Sequence, residues 1–149
     1  MQQETMKEWE RYYTLWRECN LMYDRWAKEQ GISMNGYLIL YSFYDKTEVP
    51  TQKSISQKWM IPKQTVNSIL KDYMQKGFIE TVSMPEDKRN KILKLTNAGK
   101  AYADSIIGAL QEKELFVIKE LGIENMAKLN DISETFIKLF NNNEETKDE

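Results

Sequence analysis

The chain has 149 residues, 41% of them hydrophobic and 30% charged, which is room for one domain with an appendage and a core that needs no disulfide or metal staple. No histidine and one cysteine exclude histidine metal sites, Ser-His-Asp triads, Cys-His nucleophiles, disulfides and CxxC motifs, so the expectation is a non-enzymatic chain without metal or cofactor in a reducing cytoplasm. The net charge of −2 hides a division: residues 51–100 carry ten Lys/Arg against four Asp/Glu, while residues 1–50 carry six against eight and residues 101–149 five against eleven, which confines anion-binding surface to the middle third.

Residues 4–29 read as one long helix, free of Pro and Gly until Gly31. Its apolar positions form heptad-like rows, Trp9, Trp16 and Tyr23 on one and Tyr12, Cys19 and Trp26 on the next. An apolar row makes Cys19 an inert small hydrophobe rather than a redox sensor. Ser33 is placed to cap a second helix reaching about Tyr44. Thr51 starts a short helix containing Ile55 and Trp59, with Ser54 where a capping box would want Glu or Gln. Pro62, suited to a first helical turn, opens a further helix that runs to Lys76 and stops at Gly77. Phe78–Ser83 and Lys91–Leu95 then read as strands of a hairpin with a charged tip, Met84–Asn90. Thr96 caps a helix over 97 to about 120, and a last helix covers roughly 124–140 beyond a break near Gly122. The polar tail 141–149 reads as disordered. No apolar run approaches the ~18 residues of a membrane span, and the polar start is unlike a signal peptide.

Two short helices joined by a turn and followed by a basic hairpin make a winged helix-turn-helix. In its second helix Val66, Ile69, Leu70, Tyr73 and Met74 form the core stripe. On the opposite side lie Gln64, Ser68, Lys71 and Gln75, flanked by Thr65 and Asn67. These are small hydrogen-bonding groups fitted to base edges and phosphates. The fold class is therefore mainly α with a small β-hairpin wing, a winged helix-turn-helix lobe over 33–96 and dimerisation helices over 4–30 and 97–140.

GFIE at Gly77–Glu80, DKR at Asp87–Arg89 and LTNAG at Leu95–Gly99 stand in that order and spacing. With the helices around them they make the run from Gln52 to Lys100 resemble the DNA-binding lobe of the MarR (multiple antibiotic resistance regulator) family. The resemblance implies a homodimer interlocked through its terminal helices and acting as a transcriptional regulator whose DNA affinity is changed by a small ligand or an oxidant; a ligand-modulated repressor is the expectation. It matches Arg89 to the wing arginine that enters the minor groove, Asp87 to the aspartate that braces it, and Pro62–Lys71 to the front of the recognition helix. Thr81 stands where the family pattern often has arginine.

The candidate DNA-binding residues are accordingly Lys63, Gln64, Thr65, Asn67, Ser68 and Lys71 on the recognition helix, Asp87, Lys88 and Arg89 on the wing, and Lys53 on the backbone. Gln64 and Asn67 can pair with adenine, and the helix has no arginine for guanine, so an A/T-rich pseudo-palindromic operator in double-stranded DNA is expected. Trp16, Trp26, Tyr37 and Tyr41 are candidates for a pocket taking a small aromatic or amphipathic effector. A winged-helix protein-interaction module without DNA binding is the alternative reading.

Overall fold

The computed structural model describes residues 1–83, 86 and 91–145. Six helices and one hairpin follow in order: α1 Gln2–Glu29, α2 Met34–Tyr41, α3 Gln52–Trp59, α4 Lys63–Gln75, β1 Ile79–Val82, β2 Ile92–Leu95, α5 Asn97–Leu121 and α6 Ile123–Glu145. Among the described residues no helix is long and apolar enough to cross a membrane. The chain divides into two compact units, Met1–Ile107 and Gly108–Glu149, with the boundary inside α5.

The first unit is built around Ile39, Leu40, Ile55 and Val66, all fully buried, with Leu70, Tyr73, Ile79, Leu93, Ala103, Ile106 and Ile107 around them. Local chemistry sets most element ends. Ser33 accepts a hydrogen bond from the Gly36 amide and caps α2 as its sequence position requires. That helix ends at Tyr41, three residues before the expected Tyr44, because Phe43 and Tyr44 donate to Leu40 and Tyr41 in a tighter turn. The capping box at Thr51 does form: the Thr51 hydroxyl accepts from the Ser54 amide at 3.0 Å, and Ser54 Oγ accepts from the Thr51 amide at 2.9 Å. A serine hydroxyl thus does here what the longer Glu or Gln does elsewhere. Gly77 closes α4 with φ of +72°.

The hairpin is antiparallel, with Ile79 opposite Leu95 and Val82 opposite Ile92. Two of the sequence motifs, Gly77–Glu80 and Leu95–Gly99, meet at its base. The Thr96 hydroxyl donates to the Gly77 carbonyl at 2.6 Å and accepts from the Gly99 amide at 3.0 Å, capping α5. Gly99 is pressed so closely on the chain that a Cβ there would lie 1.8 Å from the Phe78 carbonyl oxygen. Phe78 stacks on Tyr102 with ring centroids 4.4 Å apart. Both motifs are therefore one packing joint that fixes the wing to α5.

In the second unit α5 and α6 are separated at Gly122, whose φ is +85°. Leu115, Phe116, Val117, Ile123, Ile132, Ile137 and Phe140 are all exposed there. α6 extends to Glu145, so residues 141–145 of the expected disordered tail are helical. A polar run with no Gly or Pro lacks a helix breaker, whatever its apolar content. Residues 146–149 lie outside the described residues.

Candidate nucleic-acid interface

α3 and α4 are held at a fixed turn by buried bonds. Ser56 Oγ donates to the Ile61 carbonyl at 2.7 Å, and the Ile61 amide returns to the Ser56 carbonyl at 3.2 Å. Between them Met60 takes φ of +53°, the one left-handed non-glycine among the described residues, and is 88% exposed. The wing is tied to the same corner. Thr51 bridges Ile92, and the Leu93 amide donates to the Pro50 carbonyl at 2.9 Å. Gln52 Nε2 reaches the Lys63 carbonyl at 3.5 Å, which sets the start of α4 beside the start of α3.

α4 buries Val66, Leu70 and Tyr73, with Ile69 and Met74 half-buried at the edges of that stripe. Lys63, Gln64, Ser68 and Lys71 are exposed, while Thr65 and Asn67 are half-buried at the border. All six predicted recognition residues thus belong to one helix whose opposite face is core. Lys53 is exposed on α3. Neither α3 nor α4 carries an acidic residue in its first turn, so the positive ends of both helices are left uncompensated by the chain itself. Asp87, Lys88 and Arg89 of the wing lie outside the described residues.

The lysines of the basic third fall into two groups that the sequence does not separate. Lys58 is bonded to Asp45, Lys76 to Asp72 at 2.7 Å, and Lys100 to Asp104 at 2.7 Å. The Asp45 carboxyl is held below its ordinary range by the hydrogen bond from Lys58 and then by those from Thr47. Tyr44, which donates to Asp104, is pushed up to about 12 by burial first and by that carboxylate second. Lys53, Lys63, Lys71, Lys91 and Lys94 have no ion pair among the described residues. Lys91, exposed at the start of β2, was missed by residue-type reasoning. Its position at the foot of a basic hairpin was the available signal.

The aromatic candidates separate as well. Trp26 meets Tyr37 edge to face at 5.6 Å, Tyr37 stacks on Tyr41 at 6.0 Å, and Tyr41 meets Trp59 at 6.2 Å. Trp59 Nε1 donates to Ser42 Oγ at 2.8 Å, whereas the buried Trp26 Nε1 has no hydrogen-bond partner among the described residues. Trp16 stands apart, 55% exposed and ten residues, or about 15 Å of helix, from Trp26. Cys19 is exposed, so within one chain its row does not provide the apolar cover expected of it.

No family profile matches the chain. The structure of NMB1585, a MarR family regulator from Neisseria meningitidis, is similar at 30% identity and a TM-score of 0.70, over 93% of this chain and 98% of that one. The S. aureus MepR-DNA complex shares the fold at 19% identity and a TM-score of 0.71, over 85% of this chain and 96% of MepR. Among curated proteins the HTH-type transcriptional regulator SarZ of Staphylococcus epidermidis is 25% identical over 89 residues, and the match spans 60% of this chain and 60% of SarZ, less than two thirds of its length. The names are those of regulators, in keeping with the expected absence of catalysis. With the joint of Gly77–Phe78 on Gly99, the helix-turn-helix and the hairpin all in place, and 30% identity sustained over nearly the full length of both chains, the chain belongs to the MarR family.

Proposed function

We propose that this chain is a sequence-specific DNA-binding transcription regulator, a repressor working in the cytoplasm, whose operator affinity is set by a small-molecule ligand. One observation carries the reading: the exposed face of α4 is polar, Lys63 and Lys71 on it have no ion pair among the described residues, and it starts at an acid-free helix end. The DNA in the MepR complex supports it. In this reading Gln64, Thr65, Asn67 and Ser68 read bases in the major groove. Lys53, Lys63, Lys71 and Lys91 neutralise phosphates, and Arg89, braced by Asp87 and beside Lys88, enters an adjacent A/T-rich minor groove. The active species is a homodimer joined through the exposed apolar faces of α1, α5 and α6, with two recognition helices spaced for successive turns of a pseudo-palindromic operator. An aromatic or amphipathic effector acts beside Trp26, Tyr37 and Tyr41, where α1 meets α2.

Binding-site selection from random double-stranded DNA tests the reading. The expected outcome is an enriched A/T-rich inverted repeat. Four lysines from each subunit make about eight phosphate contacts per dimer, which give a slope of log affinity on log salt near −7. In the same assay Arg89→Ala retains the dimer and loses most affinity for the selected site. Enrichment of G/C-rich half-sites, or of no motif, overturns the reading.

A further inference from the structure

We propose that Met60 is a DNA contact: its thioether side chain, carried on the turn between α3 and α4, packs on the apolar face of a deoxyribose beside the phosphate that Lys63 neutralises. This contact rests on the DNA-binding reading above and adds to it a residue of a type that charge and hydrogen-bonding arguments pass over.

Two costs meet at Met60. Its φ of +53° lies in the left-handed region, where glycine sits without strain and a residue with a Cβ does not. Its side chain is also 88% exposed. Exposed large hydrophobics are few in this part of the chain: among the described residues from Trp26 to Ile107 the other is Val49, at 53%. Either cost alone is ordinary. Together they fall where glycine would remove both, and so exposed a side chain gains little from packing within its own chain.

The turn holds that side chain outward. The Met60 amide donates to the Ser56 carbonyl, and Ser56 Oγ donates to the Ile61 carbonyl at 2.7 Å. Ile61, at 4% exposure, is anchored in the core, while its neighbours Met60 and Pro62 are both exposed. These two make an apolar lip that leads directly into Lys63, the first residue of α4, which is exposed and has no ion pair among the described residues. From Met60 to Lys63 the chain spans at most about 11 Å.

That order of groups matches a DNA strand, in which anionic phosphates alternate with sugars that show an apolar edge. A free cation beside a flexible apolar side chain can meet both at once. Methionine is unbranched and carries a soft, polarisable sulfur, so it adapts to such an irregular surface. The contact removes apolar surface from water on both partners. It therefore adds affinity without releasing counterions, and its contribution does not depend on salt.

The test uses the operator obtained by binding-site selection and the full chain as wild type, Met60→Leu, Met60→Gln and Met60→Gly. Leucine keeps an apolar side chain, glutamine keeps the length but ends in an amide, and glycine removes side chain and strain together. Met60→Leu is expected to bind within about threefold of wild type, and Met60→Gln and Met60→Gly to lose about tenfold to thirtyfold per dimer with the salt slope unchanged. Met60→Gly loses this affinity while its urea midpoint rises, a combination that a merely structural role would not produce. A second readout is protection from peroxide, which transfers one oxygen atom to the thioether sulfur and leaves water. Mass spectrometry is expected to find Met60 oxidised several-fold more slowly in the DNA complex, with Met6 and Met22 of α1 unaffected by DNA. Equal affinity in all three variants, a loss in Met60→Gly alone, a loss in Met60→Leu as large as in Met60→Gln, or Met60 oxidation not slowed by DNA overturns the contact and leaves the DNA-binding reading standing. A wild type that selects no motif overturns that reading, and the contact falls with it.

Discussion

From Trp26 to Ile107 the large side chains, Val49 and Met60 apart, are mostly packed against one another, whereas many of those from Met6 to Met22 of α1 are exposed. Trp26 and Tyr37 are almost fully buried, and Trp59 spends its indole N–H on Ser42. Trp9, Tyr12, Tyr13 and Trp16 remain exposed, and Trp9 stacks on Tyr13 at 5.7 Å. The second unit repeats the bare pattern at Leu115, Phe116, Ile132 and Phe140. Apolar surface of that extent commonly marks an interaction face. The difference teaches that the winged-helix lobe completes its own core, while the long helices leave many large apolar side chains exposed.

The sharpest test of the packed region is Gly99→Ala. Its methyl group would meet backbone at Phe78, which cannot swing away as a side chain can. A loss of about 3 kcal/mol in urea unfolding is expected. A loss below about 1 kcal/mol would mean that the wing is not clamped to α5 as described.

Next in size is the bare region. Wild type is expected to scatter light as a dimer at micromolar concentration, and Trp16→Glu to shift it towards monomer, since a charge placed in a buried apolar interface is costly. A wild-type monomer, or a Trp16→Glu variant that dimerises equally well, breaks the comparison by showing that the exposed stripe of α1 serves something else.

Met60→Gly probes the corner where the packed lobe is strained. Removing the side chain from a left-handed residue should raise stability by about 1 kcal/mol, read as a higher urea midpoint. A lower midpoint would show that the Met60 side chain contributes packing that its exposure conceals.

The smallest expected effect concerns Asp45. Its carboxyl is depressed below 3.8 by the bonds it accepts from Lys58 and Thr47. The stability it adds is therefore full above about pH 4 and is lost as pH falls through the folded value. Asp45→Asn should melt slightly lower than wild type at neutral pH, with the gap narrowing below about pH 4. Because the pair is on the surface the effect is small. A gap that does not change with pH would assign it to packing instead.

Much of this was legible in residue order. Element ends follow from local chemistry: Ser33, Thr51, Gly77 and Thr96 act within three residues of themselves, so their roles can be read without the fold. The stripe of Val66, Leu70 and Tyr73 opposite Gln64 and Lys71 follows from helical period alone. The motifs Gly77–Glu80 and Leu95–Gly99 were legible as family marks, but their meaning as a single joint was not, since it depends on a contact across nineteen residues between Thr96 and Gly77.

What composition and spacing determined was a histidine-free chain with a basic middle third and a helix-turn-helix followed by a hairpin. Only tertiary structure decided which cations remain available. Lys58 is drawn to Asp45, thirteen residues away, whereas Lys63 is not paired within the described residues, and no property of either residue type distinguishes them. Tertiary structure also split the row of Tyr12, Cys19 and Trp26, burying the last and exposing the first two. A helical period states which residues share a face. Whether that face meets protein or water depends on what the rest of the chain brings against it, and the energy of burial is counted there.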